Sequence, residues 1–151
     1  IQIEEVNMKL IELEIVAKRR VCANMVYHLI ADVHDVMSYS NLPETALELA
    51  KEVSNVTPVT SLNELLKALT PPRVIWLMVP HQVVDETIDD LIKAGMEKGD
   101  LLVDGGNSNF NLSKQRAVDL DGYGIHFVDS GTSGGVWGVE NGYCIRVGGT
   151  E

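Results

Sequence analysis

The stretch RVIWLMV, residues 73–79, is a nearly continuous apolar run with the length of one β-strand. A strand that is apolar on both faces is typical of the buried interior of a parallel sheet. Residues 83–96 follow with apolar side chains at helical spacing, and the short apolar run LLV comes next at 101–103. Strand, helix and strand in this order predict a parallel βαβ unit with a right-handed connection.

The alternation of strands and helices extends on both sides of this unit. We predict further strands at 34–39, 125–128 and 143–147, and further helices at 43–53, 61–69 and 112–120. The helix at 61–69 begins with Ser61-Leu-Asn-Glu64, which has the pattern of a capping box. The predicted fold class is therefore α/β, an open and mostly parallel sheet with helices on both faces.

The composition argues against several classes of function. The chain has 151 residues, enough for one domain with a hydrophobic core. Acids outnumber bases by 22 to 12, and the resulting charge of −10 argues against binding to nucleic acid or to an anionic membrane surface. No apolar run reaches the roughly 18 residues of a membrane span, and the N-terminus does not resemble a signal peptide.

The cysteines and histidines indicate neither a disulfide framework nor a metal site. Cys22 and Cys144 are far apart in sequence and have no partner motif. The four histidines lack the spacing of metal ligands. Free thiols are typical of a reducing compartment, so we expect a cytoplasmic protein that binds no metal.

Three predicted strand ends are candidate ligand sites, because ligands bind outside the carboxyl ends of strands in open α/β sheets. DGGNSN at 104–109 combines two glycines, which permit a sharp turn, with the donor and acceptor groups of Asn107. DSGTSGGVWG at 129–138 could direct several backbone N–H groups towards a carboxylate or a phosphate. The third end is LMVP at 77–80. The alternatives are an ordinary Gly-Asn turn, a flexible glycine-rich loop and a simple strand-to-helix stop, respectively.

The stretches TPPRVIWLMVP at 70–80, GDLLVDGGNSN at 99–109 and GIHFVDSGTSGGVWGVENGYC at 124–144 together resemble the 6-phosphogluconate dehydrogenase family. The form GTSGGVWG is most similar to the shorter bacterial branch, and the resemblance covers residues 12–151. It implies a Rossmann-like, doubly wound fold and NAD or NADP as the cofactor. It also implies oxidative decarboxylation of 6-phosphogluconate to ribulose 5-phosphate, in the pentose phosphate pathway, by a homo-oligomeric parent enzyme.

The resemblance further implies roles for individual residues. Asn107 would contact both the nicotinamide cofactor and the sugar acid. The carboxylate and hydroxyl groups of the substrate would be held by Ser133, Gly134 and Gly135. The cofactor would be lined, near its nicotinamide ribose, by Met78, Val79 and Pro80.

The first predicted turn departs from the family's glycine fingerprint, GxGxxGxNM. Ala23-Asn24-Met25 matches the end of the motif, which places Ala17, Arg19 and Cys22 at its glycine positions. Glycine serves there to make a tight turn and to let the backbone approach the pyrophosphate. The cofactor-binding turn would therefore consist of Ala17, Lys18, Arg19, Arg20, Val21 and Cys22. Its basic residues could attract phosphate or could form a solvated turn.

Two further features of this part of the sequence leave alternatives open. We predict a strand at 12–16 and a helix at 22–30, although residues 4–30 could also form one long helix. After the second strand, an acid would favour NAD and an arginine would favour NADP, but the matching position is Ser40. The cofactor preference therefore stays unresolved.

The domain assignment follows from the extent of the resemblance. We expect residues 1–10 to be an extension without a counterpart in the family and residues 11–151 to be one NAD(P)-binding domain. The family's catalytic lysine and glutamate, and its large helical domain, lie beyond the matched region. No catalytic residue is therefore assigned here, and we expect no turnover. The alternatives are a degenerate Rossmann module that binds without catalysis and another β-hydroxyacid dehydrogenase.

Overall fold

The computed structural model describes residues 36–52, 56–134 and 137–149, in which strands and helices alternate. The strands are β1 (Val36–Tyr39), β2 (Val56–Val59), β3 (Val74–Leu77), β4 (Leu101–Asp104), β5 (His126–Ser133) and β6 (Cys144–Gly149). The helices are α1 (Pro43–Glu52), α2 (Leu62–Ala68), α3 (Val84–Ala94), α4 (Phe110–Asp121) and α5 (Gly138–Asn141). The strand and helix predicted at 12–16 and 22–30 lie outside the described residues.

The described strands form two sheets, β1-β2 and β3-β4-β5-β6, and only the pair β5-β6 is antiparallel. In the larger sheet Leu77, Asp104 and Asp129 lie side by side. The carboxyl ends of β3 and β4 therefore meet at one edge, next to the second half of β5. The prediction of a mostly parallel α/β fold is confirmed.

One hydrophobic core unites the two sheets and their helices. Its fully buried residues include Leu65 of α2, Ile75 of β3, Leu91 of α3 and Leu102 of β4. Burying a leucine or isoleucine side chain stabilises a fold by about 1.5–3 kcal/mol, so this cluster is a main source of the stability of the fold. Within the described ranges, no helix has the length and apolar character needed to cross a membrane.

Two parts of the sheet differ from the sequence prediction. The strand β2 was not predicted, because its four residues, VTPV, contain a proline that is unusual within a strand. The fifth strand does not end at Val128 but continues to Ser133, where the sequence predicts a glycine-rich loop. Residues 129–133 are extended because they pair with β6, in a register that joins Ser133 to Cys144.

The predicted cap of α2 is present with one change. The Ser61 hydroxyl accepts a hydrogen bond from the Glu64 backbone N–H at 3.1 Å. The Glu64 carboxylate does not return to Ser61 but accepts from the backbone N–H of Thr60 at 2.9 Å and from its hydroxyl at 2.8 Å. These two bonds lower the pKa of Glu64.

A buried carboxylate fastens the amino-terminal end of the larger sheet. Asp100, which has no solvent exposure, accepts hydrogen bonds from the backbone N–H of Arg73 at 2.8 Å and of Glu97 at 2.9 Å. It also pairs with the Arg73 guanidinium at 3.1 Å. These contacts fix the start of β3 to the start of β4.

Candidate functional site

The candidate site is built around the turn that follows β4. The Gly105 N–H donates to the carbonyl oxygen of Leu77 at 2.8 Å, which joins this turn to the end of β3. The Gly106 N–H donates to the carboxylate of Asp104 at 3.0 Å. A Cβ at Gly106 would lie 2.5 Å from the carbonyl oxygen of Val79, closer than real Cβ contacts allow. Glycine is therefore required for the close approach of the two loops.

Asn107 connects this turn to β5. Its backbone has a φ of 57°, in the left-handed region that asparagine tolerates better than most residues. Its side-chain amide donates to the carbonyl oxygen of Thr132 and accepts from the Thr132 N–H, both at 3.2 Å. The exposed amide keeps one N–H and one lone pair for another partner. The two predicted ligand loops are thus joined by one side chain.

The far end of β5 presents the residues predicted to bind substrate. Ser133 is exposed, and Gly134 follows with a φ of 151°. A Cβ at Gly134 would lie 2.8 Å from the ring of Tyr143. Ser133 and Gly134 follow Thr132 in the chain, and Thr132 is the residue that bonds to Asn107. Gly135, the third predicted substrate residue, lies outside the described residues.

The predicted cofactor residues differ in their exposure, and six of them lie outside the described residues. Met78 and Val79 are buried, at 9% and 4% exposure, and Pro80 is partly exposed, so a ligand at this edge would meet mainly their backbone. Ser40 is 2% exposed, and its hydroxyl accepts a hydrogen bond from the Leu42 N–H at 3.1 Å. That hydroxyl is therefore directed into its own turn. The predicted phosphate-binding turn, which comprises Ala17, Lys18, Arg19, Arg20, Val21 and Cys22, lies outside the described residues.

Charged side chains that were not assigned to the site from the sequence lie beneath it. Arg116 of α4 is 5% exposed and pairs with the buried Asp104 at 3.3 Å and with Asp85 at 2.6 Å. The hydrogen bond from Arg116 lowers the pKa of Asp85. Asp129 lies beside Asp104 in the sheet. Burial, and then the neighbouring Asp104 carboxylate, raise the pKa of Asp129, although Ser113 and Arg116 oppose the rise.

We expect Asp129→Asn to raise the melting temperature at pH 7 by about 1–2 °C. The raised pKa of Asp129 means that its ionised form destabilises the folded state. This penalty is absent below the unfolded pKa of about 3.9 and develops as the pH rises through the folded value. The gain should therefore vanish near pH 3.5 in scanning calorimetry.

The matched control for Asp129 is Asp89→Asn, which removes the same charge from an exposed position on α3. We expect no comparable change in the melting temperature from this control. An equal rise in both variants would assign the effect to net charge alone. A fall in the Asp129 variant would contradict the penalty.

A groove of about 540 Å³ lies between α4 and the edge of the larger sheet. Phe110, Val118 and Phe127 line its apolar walls, and Lys114 and Asp129 contribute charge. Phe110 and Val118 are more than 60% exposed. The sequence prediction missed this groove, because its lining residues come from three separate elements, α4, β5 and β6.

The chain matches one known protein family over most of its length. The family model described as the NAD binding domain of 6-phosphogluconate dehydrogenase matches residues 22–151. The chain belongs to this family. A decarboxylating 6-phosphogluconate dehydrogenase of Chlamydia pneumoniae is 34% identical over 149 residues, which cover 96% of this chain and 30% of that protein. The chain spans 20–38% of the length of the curated relatives compared with it.

Solved structures that are similar to this chain include a 6-phosphogluconate dehydrogenase. The enzyme of Plasmodium falciparum, solved in its apo form and in complexes with NADP+ and with 6-phosphogluconate, has a TM-score of 0.83 and 25% identity, covering 97% of this chain and 31% of that one. The 3-hydroxyisobutyrate dehydrogenase of Mycobacterium tuberculosis has a TM-score of 0.76 and 22% identity, covering 95% and 47%, and so shares the fold. The chain is a Rossmann-like NAD-binding domain, as predicted.

Proposed function

We propose that this chain binds NAD(P) and 6-phosphogluconate as part of an oxidoreductase that converts 6-phosphogluconate to ribulose 5-phosphate and CO2. The observation that carries the proposal is the position of Asn107. Its amide holds both backbone groups of Thr132, so it lies between the end of β4 and the substrate residue Ser133. A ligand at this point can contact both loops at once.

Buried hydroxyl groups support a ligand site at this edge. The hydroxyl oxygens of Ser108, Ser130 and Thr132 are buried and have no hydrogen-bond partner among the described residues. A buried polar atom without a partner costs free energy, so such atoms are uncommon unless water or a ligand satisfies them. Ser108 is next to Asn107 in sequence, and Thr132 is bonded to it. A polyhydroxylated acid beside Asn107 offers hydrogen-bonding groups to Ser108 and Thr132, which are partly exposed residues, whereas Ser130 has no solvent exposure.

The residues of this chain would position the reactants. Asn107 would contact the cofactor and the C3 hydroxyl region of the sugar acid with its free amide groups, while Ser133, Gly134 and Gly135 would hold the carboxylate and hydroxyls. Met78, Val79 and Pro80 would border the nicotinamide ribose. The cofactor, when bound, accepts the hydride, and the β-keto acid that results loses CO2. We assign neither the base nor the acid of this reaction to the chain.

The same proposal covers the domain organisation. Residues 11–151 form the NAD(P)-binding domain, and the parent enzyme is a homo-oligomer that also contains a helical domain. The family model that matches residues 22–151 supports the assignment of the NAD(P)-binding domain. The proposal predicts that 6-phosphogluconate binds to the chain without being oxidised by it.

Titration calorimetry with the full chain tests the function. We expect micromolar binding of NAD+ or NADP+, and saturable binding of 6-phosphogluconate that Ser133→Ala weakens about tenfold, because a hydrogen bond to a charged group is lost. Thr57→Ala is the control, since it removes an exposed hydroxyl from β2. Absence of 6-phosphogluconate binding at millimolar concentration, or release of NADH or NADPH from the mixture, would contradict the proposal.

A second function is favoured by the residues at the fingerprint glycine positions, Ala17, Arg19 and Cys22. A side chain at a fingerprint glycine position opposes the tight turn and the close approach of backbone to pyrophosphate for which glycine serves. The chain would then be a binding or assembly module of the same family. Failure of both NAD+ and NADP+ to bind at millimolar concentration would support this second function and exclude the first.

A further inference from the structure

A buried cation of α4 lies directly behind the site. Arg116 is 5% exposed, and its Nε donates to the carboxylate of Asp85 at 2.6 Å. Its Nη1 donates to Oδ2 of Asp104 at 3.3 Å. Asp85 is largely exposed at 70%, whereas Asp104 has no exposure. Arg116 is therefore the cation that compensates the buried charge of Asp104.

Asp104 divides its two oxygens between Arg116 and the ligand turn. Oδ2 accepts from Arg116, and Oδ1 accepts from the backbone N–H of Gly106 at 3.0 Å. A planar carboxylate held at one oxygen by a guanidinium has little freedom to rotate at the other. Arg116 and the Gly106 N–H therefore share one carboxylate.

The turn is restrained on two sides. Gly106 lies against the carbonyl oxygen of Val79, and Asn107 has a positive φ while its amide is bonded twice to Thr132. A shift of the Gly106 N–H must therefore move Asn107 or break its bonds to β5. Two hydrogen bonds, Arg116 to Asp104 and Gly106 to Asp104, thus connect Arg116 with the residue that precedes Asn107.

We propose that Arg116 is a positioning residue, which orients Asn107 for 6-phosphogluconate by holding Asp104 against the Gly105–Gly106 turn. The role rests on the proposed function of the site. Arg116 itself does not contact the substrate, because Asp104 and the turn lie between them. Its contribution is to keep the free donor and acceptor of Asn107 in one orientation.

A second buried ion pair provides a matched control. Arg73 and Asp100 form an ion pair of the same type, with side-chain exposures of 11% and 0%. This pair lies at the start of β4, whereas Asp104 lies at its end. Loss of Arg73 should therefore destabilise the chain about as much as loss of Arg116, without reaching the Asn107 turn.

The test compares Arg116→Met and Arg73→Met in the full chain at a temperature where both are folded. Two quantities are measured: the 1H–15N resonances of the Gly106 backbone and the Asn107 side chain in the ligand-free state, and the dissociation constant for 6-phosphogluconate. We expect Arg116→Met to shift both resonances and to weaken binding about tenfold. Arg73→Met should leave the resonances in place and binding within about twofold.

A double variant separates positioning from folding. Arg116→Met with Asp104→Asn removes the uncompensated charge, so it should recover stability while the weakened binding persists. If Arg116→Met does not fold, this double variant takes its place. Unchanged Gly106 and Asn107 resonances in the variant that folds would overturn the positioning role. Arg116→Lys, which keeps a cation at the site, should return both resonances towards their positions in the unmodified chain. Absence of 6-phosphogluconate binding by the unmodified chain would instead refute the proposed function, and the ligand-free resonances would still decide the role of Arg116.

Discussion

Asp100→Ala should lower the free energy of unfolding by about 3–5 kcal/mol. The carboxylate has no solvent exposure and accepts from the Arg73 N–H at 2.8 Å, the Arg73 guanidinium at 3.1 Å and the Glu97 N–H at 2.9 Å. Its removal takes one carboxylate from the nearly buried Arg73 guanidinium, which keeps the Gly95 carbonyl oxygen at 3.0 Å and the Glu97 carboxylate at 3.3 Å. It also leaves the buried side of the Arg73 and Glu97 backbone N–H groups without this acceptor.

Urea denaturation followed by circular dichroism at pH 7 measures the loss for Asp100→Ala. The control is Asp90→Ala, which removes an acid that is half-exposed on α3 and pairs with Lys93 at 3.1 Å. An exposed pair of this kind contributes only about 0.2–1 kcal/mol. A loss below about 1 kcal/mol for Asp100→Ala would show that the buried network does not hold the sheet.

Gly106→Ala is the second substitution with a large expected effect. The new methyl carbon would lie 2.5 Å from the Val79 carbonyl oxygen and 3.2 Å from the Asp104 carboxylate. The carbonyl belongs to backbone next to a buried side chain, so it cannot withdraw without moving the end of β3. Overpacking of this kind costs about 1–3 kcal/mol. The turn should move away from Thr132, and 6-phosphogluconate should bind more than about tenfold more weakly.

Gly148→Ala is the control for Gly106→Ala. Gly148 lies in β6, and a Cβ there would have no atom within 4 Å. Thermal unfolding and calorimetric titration should show little change in this variant. If Gly106→Ala has the stability and the affinity of Gly148→Ala, the close approach of the two loops is not required for either.

The parts of the fold that the sequence predicts are those determined by local pattern. RVIWLMV gives β3 because its apolar run is long enough for a buried strand, and Ser61 gives the start of α2 because its hydroxyl caps the helix locally. The extension of β5 to Ser133 could not be predicted in the same way. Its residues are polar and glycine-rich, and only pairing with β6 makes them extended.

In the candidate site, too, local sequence predicts some residues, whereas others depend on tertiary packing. Asn107, Ser133 and Gly134 could be proposed from the sequence because they lie in stretches that resemble a family, and their roles stay predictions. The roles of Arg116 and Asp104 could not be found, since Arg116 bonds to residues 12 and 31 positions away and such contacts depend on tertiary packing. The Asn107–Thr132 contact joins residues 25 positions apart and likewise required the structure.

The central proposal is that the Asn107 and Ser133 loops together bind 6-phosphogluconate. The most direct test is a titration of the 15N-labelled full chain with 6-phosphogluconate, followed through assigned amide resonances. We expect saturable shifts at Gly106, Asn107, Thr132 and Ser133, and none at Leu62 of α2. Shifts confined to other parts of the chain, or no shifts at millimolar ligand, would contradict the proposal.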